Sequence, residues 1–233
     1  MRKPCGVIIF FSLLVGIFYC AEALAVSFTV GGVRLEKKDV KSMKEIKTHN
    51  INRQSLDFSC GAAGISTLLS YYFGHPVTEQ EILGTLLQTV SLEKVKARRG
   101  FSLLDLKNFV ELKGYKATGY QMDFDFLREL GKPVLVPIKF KNYRHFVIVK
   151  AVVGDRVFLA DPAVGNMTMK TTRFANIWLD GIGLVIEDPN VTAQDGLPVN
   201  EKDMLFADYK NAMRTAQQNV IRTAIFPNEY KLK

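Results

Sequence analysis

Cys60-Gly-Ala-Ala-Gly-Ile-Ser-Thr-Leu-Leu-Ser-Tyr-Tyr-Phe73 runs without a charged residue up to the stop signal Gly74. The stretch reads as a helix, and a helix that is apolar all round is a buried one. Gly61, Ala62, Ala63 and Gly64 fill its first turn and leave room for neighbouring backbones to approach. Glycine is unfavourable there by roughly 0.5–1 kcal/mol against alanine, so crowding or access outweighs propensity. The segment predicts a helix inside a core, with Cys60 in its first turn and Ser59 as its N-cap.

Working outward, Thr78-Glu-Gln-Glu81 is a capping box that opens a second helix. Ser102 with Asp105 opens a third, which ends near Lys113 before Gly114, and a short apolar helix from Asp123 to Leu130 ends at Gly131. The period then changes. Pro133 to Phe140, His145 to Val153, Arg156 to Asp161 and Gly181 to Glu187 read as strands. Helices first and antiparallel strands after, around one core, describe an α+β domain over residues 51–187. Before it, residues 26–50 form a polar, Lys-rich arm with one strand from Ser27 to Val33. After it, residues 188–233 comprise a Pro- and Gly-containing linker to Asn200 and an amphipathic helix from Glu201 to about Thr223.

The 233 residues are 48% hydrophobic and 23% charged, which suits one domain with appendages and excludes general disorder. The net charge of +8 is spread along the chain, without the basic-aromatic runs of a nucleic-acid reader. Residues 1–25 read as an export signal. Arg2 and Lys3 supply the positive start, Gly6 to Cys20 the apolar run, and Ala21-Glu22-Ala23 and Ala23-Leu24-Ala25 the small-x-small cleavage sites. The uncharged run is shorter than the ~20 residues of a spanning helix, so a membrane contact is expected only through this segment if it stays uncleaved. Tyr19 before Cys20 argues against lipidation. Cleavage after Ala25 removes Cys5 and Cys20 and leaves Cys60 as the sole thiol of an exported protein, unable to form an internal disulfide.

A helix N-terminus places positive potential at Cys60, which favours thiolate over thiol, the form a cysteine nucleophile needs. Its base is found by elimination among three histidines. His75 lies at the far end of the same helix, about 20 Å away, and His49 lies in the polar arm. His145 remains, a polar ring opening an otherwise buried strand. Parity then offers a carboxylate: with Lys150 and Arg156 together on the wetter face, His145 and Asp161 share the other. They would sit opposite or diagonal at the open end of the hairpin, provided the loop around Gly154-Asp155 is of odd length or the strand carries a bulge. Taken alone, Asp161 before Pro162 is equally a turn former. Gln54 offers a side-chain amide upstream of Cys60, although a glutamine in a loop carries no function by itself. No Cys-x-x-Cys, His-x-x-x-His or Gly-x-x-x-x-Gly-Lys pattern is present, so neither a metal nor ATP is expected and no cofactor is called for. The dibasic Arg98-Arg99 before Gly100 reads as a solvated loop.

These residues together resemble the C39 peptidase family, papain-like cysteine proteases known as the processing domains of bacteriocin exporters. The matching pieces are Gln54-Ser-Leu-Asp-Phe-Ser-Cys60-Gly-Ala-Ala, Gly100-Phe-Ser-Leu-Leu-Asp-Leu, Leu112-Lys-Gly-Tyr, Lys132-Pro-Val, His145-Phe-Val-Ile-Val, Asp161-Pro-Ala-Val-Gly165 and Phe174 to Trp178. The resemblance implies a papain-like fold with the helical part packed on the antiparallel sheet. It implies Cys60 as nucleophile, His145 as general base and acid, Asp161 as its orienting carboxylate and Gln54 as an oxyanion donor. It also implies a protein or leader-peptide substrate, with cleavage after small residues such as Gly-Gly in many members. Lacking exporter modules and carrying a signal, the chain resembles the stand-alone exported branch, periplasmic or secreted. Some members of that branch accompany functional-amyloid systems, which implies a component of such a system as partner. Two other functions use the same residues: acyl transfer or amidase chemistry through the triad, and a catalytically silent adaptor that keeps only the fold.

Overall fold

Three of the helices that frame the molecule begin on side chains that close their own first turn. Ser42, Thr78 and Ser102 each accept from the N–H three residues on, and Glu45, Glu81 and Asp105 accept back from the cap N–H. Each such cap satisfies two of the donors a helix start leaves unpaired. In the computed structural model, residues 28–30, 33–35, 42–140, 143–189, 197–199 and 203 are described. The expected signal, most of the linker and the C-terminal helix lie outside the described residues.

Two units make up the chain, residues 1–41 and 42–233. The first contains a hairpin of β1 (Phe28–Val30) and β2 (Val33–Leu35), where a single strand is expected from sequence. In the second, α1 (Met43–Lys47) precedes α2 (Cys60–Thr67), which widens into a π-helical turn over Leu68–Tyr72. Then come α3 (Glu79–Thr89), α4 (Leu92–Arg98), α5 (Leu103–Leu112), β3 (Lys116–Gln121) and α6 (Phe124–Leu130). The chain continues through β4 (Val134–Phe140), β5 (Tyr143–Val153), β6 (Arg156–Asp161), β7 (Gly165–Lys170), α7 (Thr171–Ala175) and β8 (Ile182–Glu187). Strands β3-β8-β4-β5-β6-β7 lie side by side in that order, every neighbour antiparallel.

Alternation along the strands feeds two cores. Leu135, Ile148, Ala160 and Leu184 pack with Ile65, Leu68, Ile82 and Leu106 of the helical side. Val136, Val147, Val149 and Leu159 pack on the other face with Leu127 and Phe174. The first turn of α2 is small because side chains crowd it, whereas the sequence suggested backbones. A Cβ on Gly61 would stand 2.6 Å from Leu106 Cδ1, and one on Gly64 2.7 Å from Leu135 Cδ1.

The β5–β6 hairpin turns tightly at Gly154-Asp155, Val153 pairing with Arg156. A bulge at Lys150 then shifts the register, since Ala151 pairs with Phe158 but Val149 pairs with Leu159. The bulge supplies the parity that a two-residue turn denies. Beyond it Val152, rather than Ala151 or Val153, joins Val147 and Val149 on the His145 side. Nor does Lys150 occupy a wet face. Its side chain is only 5% exposed, and its ammonium lies 3.0 Å from Asp203 Oδ2. Leu197, within the stretch expected as a linker, is buried in the core of the helical side.

The elements absent from the sequence reading share a cause. In α1 no residue is buried, in α4 only Val95, in α7 only Phe174 and in β3 only Ala117, and β7 is largely polar, so none shows a clear apolar stripe.

Candidate active site

Cys60 is the first residue of α2, so its N–H belongs to the set with no acceptor inside the helix. Ser59 occupies the cap position without capping. Its hydroxyl instead donates to Leu56 O at 2.8 Å and accepts from Leu56 N–H at 3.0 Å, which ties the preceding loop into a turn. The helix axis is fixed from below by the Leu106 and Leu135 contacts at its two glycines, so the sulfur is presented by a rigid element.

His145 and Asp161 arrive from the sheet. With Ile148 opposite Ala160, Asp161 is diagonal to His145 on a shared face. His145 Nε2 lies 2.8 Å from Asp161 Oδ1. That same oxygen accepts from the N–H groups of Ala163 (2.7 Å) and Val164 (3.1 Å), so Asp161 forms the turn and holds the ring at once. Cys60, His145 and Asp161 are 3%, 6% and 5% exposed. With Nε2 engaged, Nδ1 is the ring nitrogen left; it is buried and makes no hydrogen bond at rest. Burial by itself pulls the imidazole pKa down, but the Asp161 hydrogen bond and the Cys60 sulfur pull it up further, to about 9. The ring therefore carries its proton through neutral pH.

Gln54 joins this group from the loop before α2. Its Nε2 donates to Leu56 O at 3.0 Å, and its Oε1 is buried without a partner. Exchanging the two atoms would set oxygen against the Leu56 carbonyl, so the orientation is fixed, and the amide also meets the Tyr143 hydroxyl. The loop is sewn to the Asp161 turn through Gln54 N–H to Pro162 O, 3.0 Å. The other two histidines stand apart: His75 bonds the Tyr115 hydroxyl, and His49 is exposed with its carbonyl accepting from Asn166 Nδ2.

Two residues of the site escaped the sequence reading. Tyr143 stacks on the His145 ring with centroids 5.9 Å apart, and its hydroxyl donates to Asp57 O. Burial and the nearby Cys60 sulfur push its phenol pKa up. Its signal was its place two residues before His145, hence on the same face. Glu79, buried at the start of α3, receives the Ser55 N–H at 2.9 Å and the Ser55 hydroxyl at 2.6 Å. No local pattern links residues so far apart in the chain.

Cys60 and His145 open on a cavity of about 310 Å³ with an apolar share of Phe101, Leu103, Phe146 and Ile182. Among the described residues no cluster of three or more His, Cys, Asp or Glu is placed to hold a metal ion, and no helix is long and apolar enough to cross a membrane.

The chain matches the Peptidase C39 family over residues 48–190 and belongs to that family. It is a cysteine peptidase with the papain-like fold. It is 34% identical over 168 residues to the probable functional amyloid protease FapD of Pseudomonas aeruginosa, covering 72% of this chain and 74% of that one. The protein of the same name from Pseudomonas fluorescens is 34% identical over 158 residues, covering 68% and 69%. Among solved structures, the peptidase domain of Streptococcus ComA, a bifunctional ABC transporter of a quorum-sensing pathway, superposes with a TM-score of 0.51 at 19% identity. It covers 60% of this chain and 98% of that domain, a likeness of fold.

Proposed function

We propose that this protein is an exported thiol endopeptidase that hydrolyses a peptide bond of another exported protein, a component of a functional-amyloid system or its leader. Cys60 is the nucleophile, His145 the general base and acid, Asp161 the carboxylate that orients it, and Gln54 a donor to the oxyanion. One observation carries the reading: a buried His145 held by Asp161 at 2.8 Å on one nitrogen, with the Cys60 sulfur acting on the same ring. The relatedness to the FapD proteases supports the substrate class, and Arg2, Lys3 and the apolar run to Cys20 support export. Small residues such as a Gly-Gly pair at the cut follow from the family alone.

The reaction runs as follows. Nδ1 of the imidazolium carries the proton that the thiol has given up, and the sulfur adds to the substrate carbonyl carbon. The oxygen that becomes negative is met by an N–H of Gln54 Nε2 and the Cys60 N–H at the helix start. Nδ1 passes its proton to the leaving amine as the C–N bond breaks, leaving a thioester on Cys60. Water, losing a proton to Nδ1, adds to that carbonyl. Collapse expels the sulfur as thiolate, frees the carboxylic acid and restores the ion pair. Asp161 keeps Nε2–H throughout, so the ring cannot adopt the wrong tautomer.

The test compares the termini of exported proteins in cells carrying the wild-type chain or Cys60→Ala, alongside purified protein with peptide substrates. Loss of specific cleavages in both assays is expected. Cleavage that survives Cys60→Ala overturns the mechanism.

A further inference from the structure

The residues lining the cavity beside Cys60 and His145 include Arg98, Arg99 and Arg144 against one carboxylate, Asp180. Arg99 also lines an adjacent hollow of about 370 Å³ with Lys96, Tyr143 and a second carboxylate, Asp57, so it stands where the two meet and the cations still outnumber the carboxylates. Among the described residues, the side chains of Arg99 and Arg144 make no ion pair or hydrogen bond. Arg98 has only Asp105 at 3.7 Å and remains 54% exposed. Arg144 is paired across the sheet with Lys139, like charge directly opposite like charge, an arrangement that disfavours the free protein and that a bound anion relieves. The turn bearing Arg98 and Arg99 is fixed: Gly100 N–H bonds Val95 O at 2.9 Å, and Phe101 is buried behind it. Cations gathered around a concave, partly apolar site concentrate anions there.

We propose that Arg98, Arg99 and Arg144 form an acid-reading subsite, so that the peptide drawn into the cleft carries Asp or Glu within a few residues of the bond presented to Cys60. The inference rests on the peptidase reading above and adds to it the charge of the substrate. Guanidinium groups suit it, since their paired donors match a carboxylate. The dibasic motif is thus solvated, but solvated on the wall of the cleft.

The probes are two fluorescein-labelled peptides, one alternating Glu and Gly, the other alternating Gln and Gly, titrated by anisotropy into full-length protein carrying Cys60→Ala. The acidic peptide is expected to bind about 10-fold tighter at low salt, with the advantage shrinking as salt rises. The double variant Arg99→Ala/Arg144→Ala should erase that advantage while leaving the Gln-Gly affinity and the unfolding temperature in place. Equal binding of the two peptides, or discrimination that survives the double variant, overturns the proposal. So does tighter binding of a single-stranded oligonucleotide that the same substitutions abolish. Digestion of a randomised peptide library by the wild-type enzyme separates the two readings. Cuts flanked by Asp or Glu, which lose that bias in the double variant, support the subsite. Cuts without the bias overturn it alone, and absence of cutting despite acid-selective binding overturns the peptidase reading.

Discussion

Asp161 Oδ1 is a three-way acceptor whose contact with His145 Nε2, at 2.8 Å, is buried and reinforced by the turn that follows it. Asp161→Asn keeps an oxygen for the turn and removes the charge from the ring. We expect kcat to fall about 100-fold with KM little changed, since the loss is felt as the imidazole moves its proton. Steady-state kinetics on a cleaved peptide check this.

The same contact sets a pH profile. The imidazolium persists until about pH 9, so the alkaline limb of kcat/KM should fall there in the wild type and shift to lower pH in Asp161→Asn. Stability follows the same proton. A folded-state pKa raised above the unfolded value of about 6.5 stabilises the fold fully below that value, and the contribution fades as pH climbs to about 9. Urea unfolding of wild type against His145→Gln across this window should show the gap narrowing with rising pH.

Gln54 and Glu79 are expected to act in series. With Gln54 in its proposed role as oxyanion donor, Gln54→Ala should lower kcat about 100-fold. Glu79→Gln loosens the grip on Ser55, the neighbour of Gln54, and should lower kcat about 10-fold at unchanged KM. In the Gln54→Ala background Glu79→Gln should cost nothing further, a non-additivity that a double-mutant cycle reads.

Gly61→Ala tests the crowding at the first turn of α2. Helix propensity gains about 1 kcal/mol. The new methyl meets Leu106 Cδ1 at 2.6 Å within a fully buried side chain, and overpacking costs about 1–3 kcal/mol. The clash should win, lowering the midpoint of urea unfolding. Phe146, 3.2 Å from the added carbon and next to His145, should carry part of the strain into a lower kcat.

The Lys150–Asp203 pair is buried, and removing one member of such a pair costs about 3–5 kcal/mol. Lys150→Met should destabilise the protein by about 3 kcal/mol in urea unfolding, because it removes the buried ammonium 3.0 Å from the Asp203 carboxylate. Adding Asp203→Leu should restore most of the loss.

How much of this was legible in the sequence depends on the range of each signal. The capping boxes at Thr78 and Ser102 are local and mark their helices correctly. Cys60 declares itself through an uncharged run, and His145 through elimination. The pairing of His145 with Asp161 was legible only up to a condition, an odd loop or a bulge. The bulge falls at Lys150, whose anchoring partner Asp203 lies far along the chain, so no window of sequence reveals it. Glu79 stayed hidden for the same reason, since it matters through Ser55 on a distant loop, whereas Tyr143 carried a local signal in its place two residues before His145. Gln54 was nominated by resemblance, since nothing local distinguishes it from any other loop amide.

Leu197 sits 6% exposed in the core of the helical side, beyond the end of the family match at residue 190. A catalytic fragment trimmed to the homologous boundary would begin life with a hole in its interior and an oily patch facing water. A piece of this chain that keeps this core whole is therefore longer than the stretch that betrays its ancestry.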